Sequence, residues 1–376
     1  MQNRVYLDNA STTAAEPAVL KSYEALLEKY YVNSESLYDE GTEVSRMMEK
    51  ARGAIAGLLG VKDSEIIFTS GSSESNSSAV KGVCFACRDK RHIVTSAIEH
   101  SSIMNSCRQM QEVFGWDVTY LPVTQEGTVR LEDLKRAVRP DTALVSLMAV
   151  NNETGAVNPF HEAAHFVKTK THAYFHCDLT QAVGKIDIDM KDIDLASISA
   201  HKIEGLKGSG ILVRKNHVPF VPLISGGEQE YGIRGGTSNA CVNMIFAKTL
   251  RLALENGRKS HDAVLQLAKK LIGSLEGIEG IELNSPHEPL VPMVNFSYEK
   301  IPSEVMQNAL NKKGFMVSAR STCDSRSRKP SYVLTAMGYS EARANSCIRV
   351  SLSRYNTEQE IEAFITALKE IIRQYG

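Results

Sequence analysis

The chain has 376 residues, more than one hydrophobic core ordinarily serves, so two domains are expected. Its 43 lysines and arginines stand against 44 aspartates and glutamates, and a net charge of -1 gives no electrostatic case for nucleic acid or an anionic membrane. No stretch approaches a transmembrane span and the first residues hold no apolar signal region, so a cytoplasmic protein is expected; seven cysteines, an odd number, do not make a disulfide framework.

Residues 1–13 read as an arm, a short strand around Tyr6-Leu7-Asp8 followed by small polar residues. Pro17 suits a first helical position and predicts a helix to about residue 31. A polar loop leads to a second helix over about 43–59, with Met47, Ala51, Ile55 and Leu58 on one face. The run 65–69 is a strand that enters Ser70-Gly71-Ser72-Ser73-Glu74-Ser75-Asn76. Strand, small residues, then helix is how a backbone offers amides and hydroxyls to an anion, with Ser72 or Ser73 as helix cap and phosphate ligand. No Gly-Lys-Ser/Thr follows, so this is not a P-loop, and an ordinary N-cap is the plainer reading of the segment alone.

Strands and helices then alternate. Strands are expected at 91–96, 117–121, 142–148 and 173–177, and again at 194–199 and 211–213. This alternation argues a mostly parallel sheet flanked by helices. His100, Asn152, Asp178 and Lys202 all follow strand ends, where open α/β sheets bind ligands. A glycine-rich loop spans 224–238, and a long helix is expected at 240–256, with the change of domain just after it. Residues 257–376 read as an α+β unit. It holds a helix over 260–275, strands at 293–297 and 348–352, and a last helix over 357–375 opened by the capping box Thr357-Glu358-Gln359-Glu360.

Lys202 stands at the end of a buried strand in Ser199-Ala200-His201-Lys202. Burial disfavours an ammonium and suits an amine that reacts with a carbonyl, although a lysine snorkelling out of the core is the commoner case. The neighbours change the balance. A pyridoxal phosphate site needs such a lysine and an acid beside the pyridine nitrogen, for which Asp178 is placed. It needs a flat residue to cover the ring (His100) and a donor to the ring hydroxyl (Asn152 or Gln181). It also needs a phosphate cup, for which Ser72, Ser73, Ser199, His201 and Thr237 are candidates.

Further segments carry more. They are Tyr6-Leu7-Asp8-Asn9-Ala10-Ser11-Thr12-Thr13, Val150-Asn151-Asn152-Glu153-Thr154-Gly155, Asp178-Leu179-Thr180-Gln181, Arg234-Gly235-Gly236-Thr237, Pro330-Ser331-Tyr332-Val333-Leu334 and Ile348-Arg349-Val350-Ser351-Leu352. In these the chain resembles, nearly end to end, the NifS-like cysteine desulfurases of the class V aminotransferase group of pyridoxal phosphate enzymes. The resemblance implies an α/β protein of the fold type I transferases. Its large domain, residues 14–256, would carry a seven-stranded, mostly parallel sheet; residues 1–13 and 257–376 would form the smaller α+β domain.

The same resemblance implies roles. Lys202 holds the cofactor and shuttles protons, Asp178 pairs with the pyridine nitrogen, and His100 stacks on the ring. Asn152 and Gln181 contact the ring side, and Ser72, Ser73, Ser199 and His201 hold the phosphate. Thr237 reaches the phosphate of a partner subunit, which implies a homodimer. Arg349 clamps the substrate carboxylate, assisted by Asn33. The nucleophile is Cys323, in a segment whose Arg320, Arg326, Arg328 and Lys329 favour the thiolate. L-Cysteine would give alanine and a persulfide passed to a sulfur acceptor, such as an iron–sulfur scaffold or a tRNA-thiolation partner. A selenocysteine lyase, another class V aminotransferase activity and a catalytically weak partner-binding paralogue are the alternatives. The chain departs from the family pattern at Arg320 and Thr322 (glycine and alanine are common there), Tyr38, Ser34 and Leu206.

Other signals read plainly. Cys84 and Cys87 form a CxxC on a helix without a second pair, and are expected to be buried thiols rather than a metal site. His161 and His165 fall on a solvated helix face, and Met47 and Met48 pack in the core or an interface.

Overall fold

The structure is a computed structural model that describes residues 4–319 and 330–376. Seven strands form its main sheet: β2 (Ile66–Thr69), β3 (His92–Ser96), β4 (Asp117–Leu121), β5 (Thr142–Met148), β6 (Tyr174–Asp178), β7 (Leu195–Ser199) and β8 (Gly210–Arg214). Their order is β2-β8-β7-β6-β5-β3-β4. The five strands from β7 to β4 are parallel, and β8 runs antiparallel to both its neighbours. The central strands are apolar runs because helices cover both faces; β5, Thr-Ala-Leu-Val-Ser-Leu-Met, is buried at every position. Val94, Val145, Phe175, Ile198 and Ile211 belong to one continuous core. β4 is added on one side of β3 and β5 on the other, so the order in which the chain lays down its parallel strands reverses between β3 and β5, the kind of place where such sheets gather ligands.

A second core lies under a three-stranded antiparallel sheet of order β12-β10-β9: β9 (Glu282–Leu283), β10 (Met293–Ser297) and β12 (Cys347–Ser351). The arm contributes β1 (Val5–Tyr6), which pairs in parallel with β11 (Phe315–Met316) and puts Leu7 into this core. The helix Glu358–Tyr375 begins with the expected Thr357–Glu360 capping box. It buries Ile361, Phe364, Ile365, Leu368 and Ile371 on one face, each worth about 1.5–3 kcal/mol.

Two local readings are corrected. The helices expected at 240–256 and 260–275 are one helix, Ala240–Glu276. Gly257 lies inside it and serves close approach: a Cβ there would collide with the carbonyl oxygen of Gly184. The proposed domain boundary therefore falls inside a continuous helix. Neither Ser72 nor Ser73 caps the helix Ser72–Ala86; the residue before it is Gly71, at φ 146°, a backbone conformation that glycine alone adopts readily.

β2 is an edge strand, and its free side is filled by side chains. Arg52 and Glu230, both buried, form an ion pair at 2.7 Å. Glu230 accepts from the Phe68 amide at 2.8 Å, and Arg52 donates to the Ile66 carbonyl. Glu230 and Tyr231 hold positive φ to make this contact. The pair thereby ties the glycine-rich 224–238 loop to the sheet. No helix among the described residues is long and apolar enough to cross a membrane.

Candidate active site

At the carboxyl ends of β3, β5, β6 and β7 lies a cavity of about 230 Å³. Nine of the expected residues line it: Ser72, Ser73, His100, Asn152, Asp178, Gln181, His201, Lys202 and Arg349. Lys202 ends a single turn of 3-10 helix, Ala200–Lys202, directly after β7. Its ammonium donates to the carbonyls of Ala10 and Ser11, both at 2.6 Å, so the arm closes this side of the cavity. Asp178, the last residue of β6, is held at both oxygens, by the Asn76 amide at 2.8 Å and the Thr180 backbone N–H at 2.9 Å. Those donors satisfy the charged form of the carboxylate and fix its orientation.

His100 caps the helix Ser101–Phe114. Its Nδ1 accepts from the Ser102 amide at 3.2 Å, which leaves the proton of the neutral ring on Nε2. Burial, then Lys202 and Lys207, push the His201 imidazole down to about 4, so it is neutral at pH 7. Arg349, in the middle of β12, is 2% exposed. It donates to the Asn152 carbonyl at 2.6 Å, to Asp8 at 2.9 Å and to the Ser11 hydroxyl at 2.5 Å. Glu99, fully buried beside His100, accepts from the Ser96 hydroxyl at 2.6 Å and the Met148 amide at 3.0 Å. Burial raises its carboxyl to about 8, so it carries a proton at neutral pH.

Pyridoxal phosphate can be tested against these groups. Buried polar atoms without a partner among the described residues include Asn152 Oδ1, Thr180 Oγ1 and Arg349 Nε, and all three residues line the cavity. Buried polar groups are normally satisfied, so these three mark where a polar ligand belongs. The first turn of the helix Ser72–Ala86 brings free amides and two serine hydroxyls to the same space, suited to a phosphate. An amine, an acid and an anion cup on one cavity fit the cofactor.

The remaining expected residues lie elsewhere. Ser199 is buried at the end of β7 but does not line the cavity. Thr237 is exposed and outside it, a position compatible with a role toward a partner subunit. Asn33 is in an exposed loop and accepts from the Glu35 amide at 3.0 Å. Cys323 lies outside the described residues. The six other cysteines are free and buried. Burial pushes the thiols of Cys84, Cys87, Cys107, Cys177 and Cys241 up, away from the reactive thiolate.

Sequence reasoning passed over Asn76, Thr180 and the arm residues Asp8 and Ser11. Asn76 had a signal: four residues after Ser72, it shares that residue's helix face. The arm residues stood in a segment that carries the resemblance, but only the fold brings residues 8–11 to Lys202 and Arg349.

Comparisons with known proteins agree with this geometry. Residues 5–364 match the family model for aminotransferase class-V. The mitochondrial cysteine desulfurase of Arthroderma benhamiae is 41% identical over 97% of this chain and 74% of its own length. Cysteine desulfurase IscS of Methanosarcina thermophila is 38% identical over 98% of this chain and 92% of its own. A solved NifS-like protein superposes with a TM-score of 0.92 at 36% identity, covering 99% of this chain and all of the other. In sequence, in fold and in the chemistry gathered at Lys202, the chain belongs to the class-V aminotransferases, among the pyridoxal phosphate-dependent, NifS-like cysteine desulfurases.

Proposed function

We propose that this protein is an L-cysteine desulfurase that converts L-cysteine to L-alanine and leaves a persulfide on Cys323. The observation that carries it is one cavity joining Lys202, Asp178 and Arg349. Bound there, pyridoxal phosphate would supply an electron sink for the substrate's α-carbon. Lys202 would hold it and carry protons at Nζ. Asp178, fixed by Asn76 and Thr180, would keep a proton on the pyridine nitrogen. His100 would cover the ring and exchange a proton at Nε2, the nitrogen its cap bond leaves protonated. Ser72, Ser73 and His201 would hold the phosphate, and Ser199 would back that wall. Arg349 would orient the substrate through its carboxylate, with Asn33 assisting.

The thiolate of Cys323 would attack the substrate sulfur. A sulfur–sulfur bond forms, the carbon–sulfur bond breaks, and the carbon takes a proton to become alanine. Two features support Cys323. None of the six described cysteines offers an exposed thiol. The chain on both sides of its segment is pinned beside the cavity. Ser318 exchanges backbone bonds with Arg349 (2.7 and 3.2 Å), and Ser331 donates to Glu153 at 2.6 Å.

The six free thiols suit a reducing compartment such as the cytoplasm. A homodimer, with Thr237 serving the partner's site, and transfer of sulfur to an acceptor protein complete the proposal.

The test is alanine formation from L-cysteine with pyridoxal phosphate and a reductant, in the native protein and in Cys323→Ala. Alanine from the first and little from the second supports the proposal. Equal alanine from both moves the chemistry to another route, and no alanine from either despite bound cofactor refutes the activity.

A further inference from the structure

Lys185 lies one turn beyond Gln181, at the end of the turn that follows β6. It does not line the cofactor cavity. It lines a second cavity, of about 110 Å³, which meets the first along a wall made by Ala10 and Lys202. Its Nζ donates to Gln181 Oε1 at 2.8 Å. The other end of that amide, Nε2, donates to the Ala10 carbonyl at 2.9 Å. The same carbonyl accepts from Lys202 at 2.6 Å.

This chain leaves the Gln181 amide one orientation. Ala10 offers only an acceptor and the Lys185 ammonium only donors, so a flipped amide would set oxygen against oxygen and NH₂ against ammonium. Burial, with Lys202 and then Arg349 as the facing cations, lowers the Lys185 ammonium to about 7. The neutral amine can still donate to Gln181 Oε1; its lone pair could also accept from a flipped NH₂, but the Ala10 carbonyl would then face Oε1, so the observed orientation stays the better one and is held most strictly by the ammonium. Gln181 lines the cofactor cavity, and with Oε1 held by Lys185 and one hydrogen held by Ala10 it has one amide N–H left to offer a ligand there.

We propose that Lys185 is a positioning residue that holds Gln181 as an N–H donor to the ring oxygen of bound pyridoxal phosphate. This rests on the cofactor reading above. A donor at that oxygen stabilises its ionised form, and so favours the long-wavelength absorption band of the bound cofactor. Removing Lys185 leaves Gln181 Oε1 a buried acceptor without a partner and frees the amide to turn.

The experiment titrates apo protein with pyridoxal phosphate and reads its Kd and the ratio of the long- to short-wavelength bands. It compares the native chain, Lys185→Met, Lys185→Arg, Gln181→Met and the Lys185→Met/Gln181→Met pair. Lys185→Met should weaken binding about tenfold and lower the band ratio. Lys185→Arg should restore most of both, and the double variant should be no worse than Gln181→Met alone, because Lys185 acts through Gln181. Gln181→Glu keeps a partner for Lys185 but removes the N–H. It must reproduce the spectral change, so the proposal stays testable even if Lys185→Met does not fold. Native Kd and native spectra in Lys185→Met, or fully additive effects in the double variant, would overturn the proposal. Failure of the native protein to take up any cofactor would instead sink the cofactor reading and this inference with it.

Discussion

Replacing Glu99 with glutamine exchanges a buried carboxyl for a group of the same shape that does not titrate. The native side chain accepts two hydrogen bonds at one oxygen, from Ser96 and the Met148 amide, and a glutamine oxygen can keep both. The proton is the difference. In the unfolded chain Glu99 ionises near its ordinary 4.5, whereas in the folded protein it holds its proton to about 8. Below 4.5 both states are protonated and the residue costs nothing. Between 4.5 and about 8 only the unfolded state ionises, so the native protein loses stability as pH rises. Above about 8 the folded state ionises too and the loss levels off. A gap of this size corresponds to about 5 kcal/mol as an upper bound. The stability of Glu99→Gln minus that of the native protein should therefore climb steadily in the variant's favour from pH 5 to pH 8. Urea unfolding of the two apo proteins across that range measures it, and all other titrating groups cancel in the difference. A difference that does not change with pH would refute the assignment of a protonated Glu99.

Three further outcomes follow from the geometry. Glu230→Ala should lower stability by about 3–5 kcal/mol, because it strands a buried Arg52 and the Phe68 amide; a thermal shift of a degree or less would contradict that. Gly257→Ala should destabilise the protein although alanine is the better helix former by about 1 kcal/mol, since Gly184 leaves no room for a Cβ; a raised midpoint would show that the neighbouring backbone yields. Arg349→Lys should raise KM for L-cysteine about tenfold or more while cofactor uptake stays near native, because the charge survives but the planar fork does not; an unchanged KM would remove Arg349 from substrate binding.

The strands of the main sheet were legible because burial on both faces writes each as an apolar run bounded by turn residues. Thr142–Met148 and Asp117–Leu121 have the bounds read from the sequence. His100, Asn152, Asp178 and Lys202 were legible for a related reason: a polar residue just past such a run sits where a parallel sheet presents its ligands. The continuity of the helix through Gly257 was not legible, because a glycine is the same letter whether it ends a helix or lets another backbone pass. Asp8 and Ser11 stand in a segment that carries the resemblance, but their contact with Arg349 was not legible, since hundreds of residues separate them and only folding closes that distance. Nothing in the sequence singled out Lys185; its role came into view only with the bond to Gln181.

The pair that fills the free side of β2 also bears on solubility. An unpaired strand edge is a template on which a second chain can extend the sheet. Here Arg52 occupies the Ile66 carbonyl and Glu230 the Phe68 amide, so the hydrogen-bonding groups a foreign strand would seek are already engaged. The same two residues hold the loop that carries Thr237 outward. Breaking them would release that loop and expose the edge in one event, so a variant there should aggregate at temperatures where its core is still folded.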